Sequence, residues 1–394
     1  MRELRDILDR LVALRARGEK AAIATVVRVR GSTYRREGAR LLILPDGRTE
    51  GSISGGCLEG DVAEIAREVL ATGQPRLVNY DLTSDDDAVW GLGLGCNGAI
   101  DVFIEAVADA RADETVTLLR DSVEHRRTIA LVTVLTAAPG GPVPGARLCA
   151  PADGEVRGTL GGGLDARAVA AARRQLAAGR SAVLSLEAHG GAAEVFVEVV
   201  TPPLPLLICG AGHDVVPVVR LAHQLGWWVM VADSRPAYAT RDRFPDADEV
   251  VLADDAEVAS KVRIDRDTFV ILMTHNYLHD LALLRGLLAT PARYIGLLGP
   301  RRRTERLLSD LANEGVALDD EGRARLFAPV GLDLGAETPE EIALSVLAEV
   351  LAARNDRNAL RLRDRQGPIH QNTEEPGTPV GAPVPARNVV VCQD

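Results

Sequence analysis

The stretch GSISGGCLEGDVAEI, residues 51–65, carries a thiol on a glycine-rich bend where a strand gives way to a helix. Such a bend exposes backbone N–H groups and the positive end of a helix dipole, and both stabilise a thiolate. Cys57, preceded by Gly55 and Gly56, is therefore a candidate nucleophile or soft-metal ligand. Cys96, in GLGLGCNGAID, lies on a second Gly-rich bend. If the two bends face each other, two sulfurs share one pocket. Arg28, Arg30, Arg35, Arg36 and Arg40 crowd the RVRGSTYRREGAR segment (28–40) of the same domain. Together with bend amides they suit a phosphate-bearing ligand. The competing reading makes each cysteine a small buried hydrophobe. That reading is preferred for Cys149, Cys209 in a strand core, and Cys392 in the tail.

A second constellation begins at residue 206. LLICGAGHDVVP places Gly210 and Gly212 in a turn between strand and helix. Asp233 follows about 20 residues on, as a dinucleotide fingerprint requires. The first glycine permits the tight turn, the second lets backbone approach a pyrophosphate, and the carboxylate would hold ribose hydroxyls. The third fingerprint position, normally Gly or Ala, is Val215, which should push the helix away from the strand. His213 and Asp214 also sit inside the turn. His275 and Asn276 follow a later strand and are candidates for lining a ligand crevice. His275 and His279 are spaced i,i+4 and could share a metal if the segment were helical. Arg301, Arg302 and Arg303 open another helix, where they could grip an anion. An NAD(P)-dependent oxidoreductase is thus one reading, without a clear catalytic base. A Rossmann scaffold serving another ligand, or none, is the alternative.

These residues need elements to hold them. AIATVVRV and ARLLIL read as strands, PDG (45–47) as a hairpin turn, and the segment from Asp61 to Gly73 as a helix with Val62, Ile65, Val69 and Leu70 on one face. The same order recurs over 128–200: TIALVTVL, then DGEVRGTLGGGLDARAVAAARRQLAAG, then AEVFVEVV. This is an internal duplication, with halves at about 15–107 and 125–200. The glycines recur but the thiols do not, since Leu164 stands near the equivalent of Cys57. The fold therefore needs the glycines and does not need Cys57.

TPPLPL (201–206) marks a proline-rich linker. Beyond it the strands are continuous apolar runs, as in a parallel sheet buried on both faces. VILMTH (270–275), ARYIGLLG (292–299) and RLFAPVGLD (325–333) supply three of them. The expected fold class is α/β: an N-terminal duplicated α+β domain (1–200), then a Rossmann-like doubly wound parallel sheet (204–365). Thr338 should cap a helix over 339–355 that docks on and closes this domain. Residues 366–394, rich in Pro and Gly, are read as a disordered tail.

The chain has 394 residues, too many for one core, and a formal charge of −11, which argues against general nucleic-acid binding. No apolar run reaches the roughly 20 residues of a membrane span. The first 20 residues read as a mixed-charge amphipathic helix rather than a signal peptide, so a cytoplasmic protein is expected. Five scattered cysteines without a CxxC pair suggest neither a disulfide framework nor a structural zinc site.

GSTYRREGARLLI, GSISGGCLEGDV and GLGLGCNGAIDVFIE resemble the N-terminal signature of the XdhC/CoxI family. LLICGAGHDVVPV, VADSRP, MTHNY, YIGLLGPRRR and PVGLDLGAETPEEIALSVLAEVLA resemble its C-terminal Rossmann domain. The likeness runs from about residue 15 to 355. It implies an accessory protein that binds molybdenum cofactor (Mo-molybdopterin), holds it while its sulfido ligand is installed, and helps insert it into a xanthine dehydrogenase-type molybdenum hydroxylase. A cysteine desulfurase is the implied sulfur donor. Cys57 and Cys96 match the motif cysteines implicated in cofactor handling, either as ligands to molybdenum or, for Cys57, as a sulfur relay. A homodimer would suit presentation of the cofactor to a large partner. A persulfide-carrying sulfurtransferase is a third reading.

Overall fold

In a computed structural model, residues 2–81, 98–107, 110–316 and 318–364 are described. Cys96 and the 366–394 tail lie outside them. The chain divides into two units, one holding Glu3–Pro202 and the other beginning at Pro203.

The first unit opens with α1 (Arg2–Ala16), whose Ile7, Leu11 and Leu14 pack with Ala21, Leu42 and Leu44. Then come β1 (Ala21–Gly31), β2 (Arg40–Ile43), β3 (Thr49–Gly51), α2 (Glu59–Thr72), β4 (Arg76–Asp81) and β5 (Gly98–Val107). After α3 (Ala110–Glu124) the series repeats as β6 (Ile129–Ala137), β7 (Arg147–Pro151), β8 (Arg157–Thr159), α4 (Asp165–Ala178), β9 (Ala182–Ala188) and β10 (Gly191–Val200). The strand orders are β3-β2-β1-β5-β4 and β8-β7-β6-β10-β9, so the two halves share one topology. Even the irregularities coincide. The β1–β5 register shifts between Val26 and Arg28, and the β6–β10 register skips Leu135 between Val134 and Thr136. Both helices end on a left-handed glycine, Gly73 and Gly179. These positions demand glycine because a Cβ clashes with the following carbonyl in that conformation.

Each sheet has one face covered by its own helix. Val62, Ala66 and Val69 of α2 pack on Ala24, Val26, Val102 and Ile104, while Ala168, Ala171 and Ala172 of α4 pack on Val132, Val134 and Val197. The alanine-rich α4 fills its place with smaller side chains. The two halves meet at a cluster of Val27, Phe103, Leu135 and Phe196, in which each residue has its counterpart from the other copy. Val27 and Leu135 are the bulged residues. Burying such side chains contributes about 1.5–3 kcal/mol each.

The second unit comprises β11 (Pro205–Cys209), α5 (Val215–Gln224), β12 (Trp228–Asp233), β13 (Glu249–Leu252), α6 (Val258–Lys261), β14 (Phe269–Leu272), α7 (Tyr277–Leu288), β15 (Tyr294–Leu297), α8 (Arg301–Asn313), α9 (Asp320–Ala324), β16 (Leu326–Phe327) and α10 (Pro339–Arg354). The sheet is wholly parallel, in the order β13-β12-β11-β14-β15-β16. This is the doubly wound Rossmann arrangement, with its topological switch between β11 and β14. Two cores flank it. One lies under α5 and α10, with Val215, Val218, Ala343, Val346 and Val350. The other lies under α6, α7 and α8, with Leu284, Leu287, Leu307 and Leu311. Val215 is fully buried in the first core, so packing absorbs the larger residue at the third fingerprint position. RLFAPVGLD contributes only the two-residue β16 rather than a full strand. Thr338 caps α10 as expected. Its hydroxyl accepts from Glu341 N, and the Glu341 carboxylate accepts from Thr338 N. Among the described residues, no helix is long and apolar enough to cross a membrane.

Candidate functional site

The bend that carries Cys57 is organised by one carboxylate. Glu59, the first residue of α2, accepts from the backbone N–H groups of Ile53 (3.3 Å), Ser54 (2.9 Å) and Leu58 (3.2 Å), and from the hydroxyls of Ser52 and Ser54. Ser54 Oγ in turn accepts from Gly56 N and Leu58 N. Burial pushes the Glu59 carboxyl up, but the hydrogen bonds from Ser54 and its neighbours outweigh it and hold the group below the usual carboxylate range. From α1, Glu3 accepts from Ser52 N and from Arg35, so the start of the bend is also tethered. Gly55, Gly56 and Cys57 are the exposed crest. Gly56 has φ +109°, and a Cβ at Gly55 or Gly56 would meet nothing. Glycine at 56 therefore serves the backbone, and the space beside the thiol stays open.

The second half repeats the device without the thiol. Asp165 at the start of α4 accepts from Leu160 N and from Thr159 Oγ1. Counting from these carboxylates, Leu164 matches Leu58, and the true counterpart of Cys57 is Gly163. Gly163 has φ +72°, and a Cβ there would meet His189 at 2.7 Å. A side chain at this point would carry the strain of a left-handed backbone and would have to displace the His189 ring.

The arginines between the strands are engaged. Arg28 bonds Asp101 and Glu194, Arg30 bonds Asp101, Arg35 bonds Glu3, and Arg40 bonds Glu198. Arg36 is half-buried and also has a partner. Of the bend's N–H groups, those of Ile53, Ser54 and Leu58 go to Glu59 and that of Gly56 goes to Ser54. Much of the anion-gripping capacity expected from sequence is thus spent within the fold, and the exposed thiol is what the bend offers outward.

In the second unit, Gly210 (φ +117°) packs so tightly against the loop after β14 that a Cβ would lie 2.5 Å from Met273 O. Gly212 leaves room for the Asp214 carboxylate, which a Cβ would meet at 2.5 Å. Asp214 Oδ2 and His275 Nε2 are hydrogen-bonded at 2.7 Å. His275 has φ +58°, outside the helix, and Asn276 caps α7 by accepting from Leu278 N and His279 N. The i,i+4 metal pair expected if this segment were helical is therefore not formed. His279 instead bonds Asp255 at 2.6 Å. Among the described residues, no group of three His, Cys, Asp or Glu side chains could hold a metal ion. His213, Arg301 and Arg302 are exposed, and Arg303 pairs with the buried Asp280.

Asp233 lies where a dinucleotide fold keeps its ribose-binding carboxylate, but it is saturated. Oδ1 accepts from Arg235 N (2.9 Å) and Nε (2.8 Å), and Oδ2 accepts from Arg235 Nη2 (2.7 Å) and Ala211 N (2.7 Å). Burial pushes its pKa up, but the bonds from Arg235 and Ala211 prevail and hold it below the ordinary value. Nothing in the sequence spacing signals this; only the side-chain geometry shows it.

A duplicated α+β unit with, among the described residues, one exposed bend thiol, joined to a Rossmann unit, is a scaffold for handling a cofactor rather than an ordinary dehydrogenase. The model of the XdhC and CoxI family matches residues 14–81 and 122–187, one stretch in each half, and that of the XdhC Rossmann domain matches 206–350. The chain belongs to the XdhC and CoxI family. It is similar to a probable xanthine dehydrogenase subunit of Bacillus subtilis, with 33% identity over 336 residues, 85% of this chain and 94% of that one. It is also similar to the molybdenum cofactor insertion chaperone PaoD of Escherichia coli, with 25% identity over 89% of this chain and 88% of that one. The crystal structure of a Bacillus halodurans xanthine dehydrogenase (BH1974) superposes with a TM-score of 0.73 at 33% identity, covering 89% of this chain and 96% of that one.

Proposed function

We propose that this protein is a maturation factor that binds molybdenum cofactor, holds it while it is sulfurated, and assists its insertion into a xanthine dehydrogenase-type enzyme. The observation that carries this reading is Cys57. It stands exposed on a bend fixed by Glu59, whereas the other half of the unit has a left-handed glycine against the His189 ring at the same point. A soft thiolate suits the molybdenum of the cargo, and it can equally accept sulfur from the persulfide of a cysteine desulfurase. The kinship with an insertion chaperone and with xanthine dehydrogenase-associated proteins supports the same role. Cytoplasmic residence and a homodimer belong to this reading as well. The NAD(P)-dependent oxidoreductase is not favoured, because the relatives include an insertion chaperone, and because Asp233 has no free acceptor for the bare ribose diol of NAD.

The test is retention of molybdenum cofactor through gel filtration by wild type and Cys57→Ala. Retention by wild type and loss in the variant is the expected result. Equal retention would remove Cys57 from the holding site, and no retention by either would overturn the maturation reading.

A further inference from the structure

We infer that the Rossmann crevice takes a ribonucleotide bearing a phosphomonoester on its ribose, and discriminates against the same nucleotide with a bare diol. A carboxylate has about four lone-pair sites. Those of Asp233 receive two N–H groups from the Arg235 side chain, one from its backbone and one from Ala211. A ribose diol would have to break one of these charge-assisted bonds to be read. The position therefore presents a cation outward in place of a carboxylate.

The cation is held ready. Arg235 uses Nε and Nη2 on Asp233, which leaves Nη1 outside that contact, and its side chain is half exposed. Its Cζ lies 4.0 Å from the centroid of the Tyr238 ring, and Arg243 Cζ lies 4.8 Å from the same ring. Two guanidiniums and one aromatic ring thus stand together beside the end of β12. Arg243 also donates to Ala211 O at 3.1 Å. The peptide of Ala211, in the centre of the Gly210–Gly212 turn, is pinned at its N–H by Asp233 and at its carbonyl by Arg243. Turn and cation are thereby tied into one hydrogen-bonded assembly. In dinucleotide folds, an arginine near this carboxylate accommodates a phosphate on the 2′-oxygen. Planar guanidiniums bind such a group in bidentate fashion and stack on flat rings. The crevice binds this ligand without redox chemistry being implied, and the inference stands apart from the role of Cys57.

The experiment is calorimetric titration of the full chain with adenosine 2′,5′-bisphosphate, 5′-AMP and inorganic phosphate. The bisphosphate should bind about tenfold or more tightly than 5′-AMP, and the advantage should shrink as salt rises. Arg235→Gln should erase or invert the preference, because it frees Asp233 for a diol. Arg235→Lys, which keeps the charge, should retain part of it. Circular dichroism of each variant separates lost preference from lost fold. Equal affinity for the two nucleotides, an unchanged preference in Arg235→Gln, or no binding of either at about 1 mM would overturn the inference. Inorganic phosphate binding as tightly as the bisphosphate would also overturn it, as a bare anion site. None of these outcomes bears on cofactor retention through Cys57, so the two readings fail separately.

Discussion

Arg40 of β2 in the first half reaches Glu198 of β10 in the second, with Nη2 2.5 Å from Oε2. The reciprocal pair, Arg147 of β7 and Glu105 of β5, joins the same elements with the halves exchanged. Thr25 and Thr133 stand opposite the two arginines in register. The halves are therefore packed about a pseudo-twofold axis, with one buried and one part-buried ion pair crossing it and a cavity of about 50 Å³ between.

Removing one partner leaves a buried charge uncompensated, whereas removing both removes two desolvation costs. Arg40→Met should therefore destabilise the N-terminal unit by about 3–5 kcal/mol, and Arg40→Met with Glu198→Leu should recover most of it. Denaturant midpoints of the two variants check this. A double variant as unstable as the single one would mean that the pair does not carry the charge balance of the interface.

The duplication is legible in the sequence because it lives in local patterns. Strand periodicity, the Gly-rich bend and the helix-ending glycines recur in the same order, and the shared strand order follows from them. The cap at Thr338 and the Gly210–Gly212 turn are local in the same sense. Pairing at a distance is what the sequence hides. Arg40 and Glu198 are 158 residues apart, so five nearby arginines read as a grip for phosphate when at least four answer carboxylates on other elements. Helical spacing also misleads at His275 and His279. Asn276 between them is a strong helix cap, and it excludes His275 from the helix. Sequence alone places Leu164 only near the equivalent of Cys57, and the Glu59 and Asp165 hydrogen bonds set the counterpart at Gly163.

His275 is held in the left-handed region, φ +58°, which costs a non-glycine residue roughly 1–2 kcal/mol. Its bond to Asp214 works against that strain. His275→Ala loses the bond and keeps the strain, while His275→Gly loses both. The glycine variant should be more stable than the alanine variant by about 1 kcal/mol. Urea unfolding of the two variants measures the gap, and an alanine variant as stable as the glycine one would show that the backbone relaxes in solution.

Thiol chemistry should sort the cysteines by position. Cys57 is exposed, whereas Cys149 and Cys209 are buried. Burial pushes the Cys209 thiol well above its ordinary pKa, and the carboxylates of Asp255, Asp280 and Asp233 add to the effect. Iodoacetamide on the native protein should modify Cys57 rapidly and leave Cys149 and Cys209 untouched until denaturant is added. Peptide mass mapping over time reads this directly. Modification of Cys209 at a rate matching Cys57 would contradict the closed packing beneath β11.

The bend at Cys57 should loosen in acid. Glu59 has its folded-state pKa held below the unfolded value, so its contribution is fully present above the ordinary carboxylate pKa of about 4.3 and is lost as pH falls through the folded value. Glu59→Gln imitates the protonated state, since it keeps the size of the side chain and removes the charge that gathers the N–H groups of Ile53, Ser54 and Leu58. Wild type should therefore be the more stable at neutral pH, and its advantage should stay level down to about pH 5 and close below that. Unfolding midpoints of both proteins across pH 7 to pH 3 give the comparison. A gap that stays constant across the whole range would show that the charge of Glu59 does not hold the bend, and that the hydroxyl of Ser54 suffices to present Cys57.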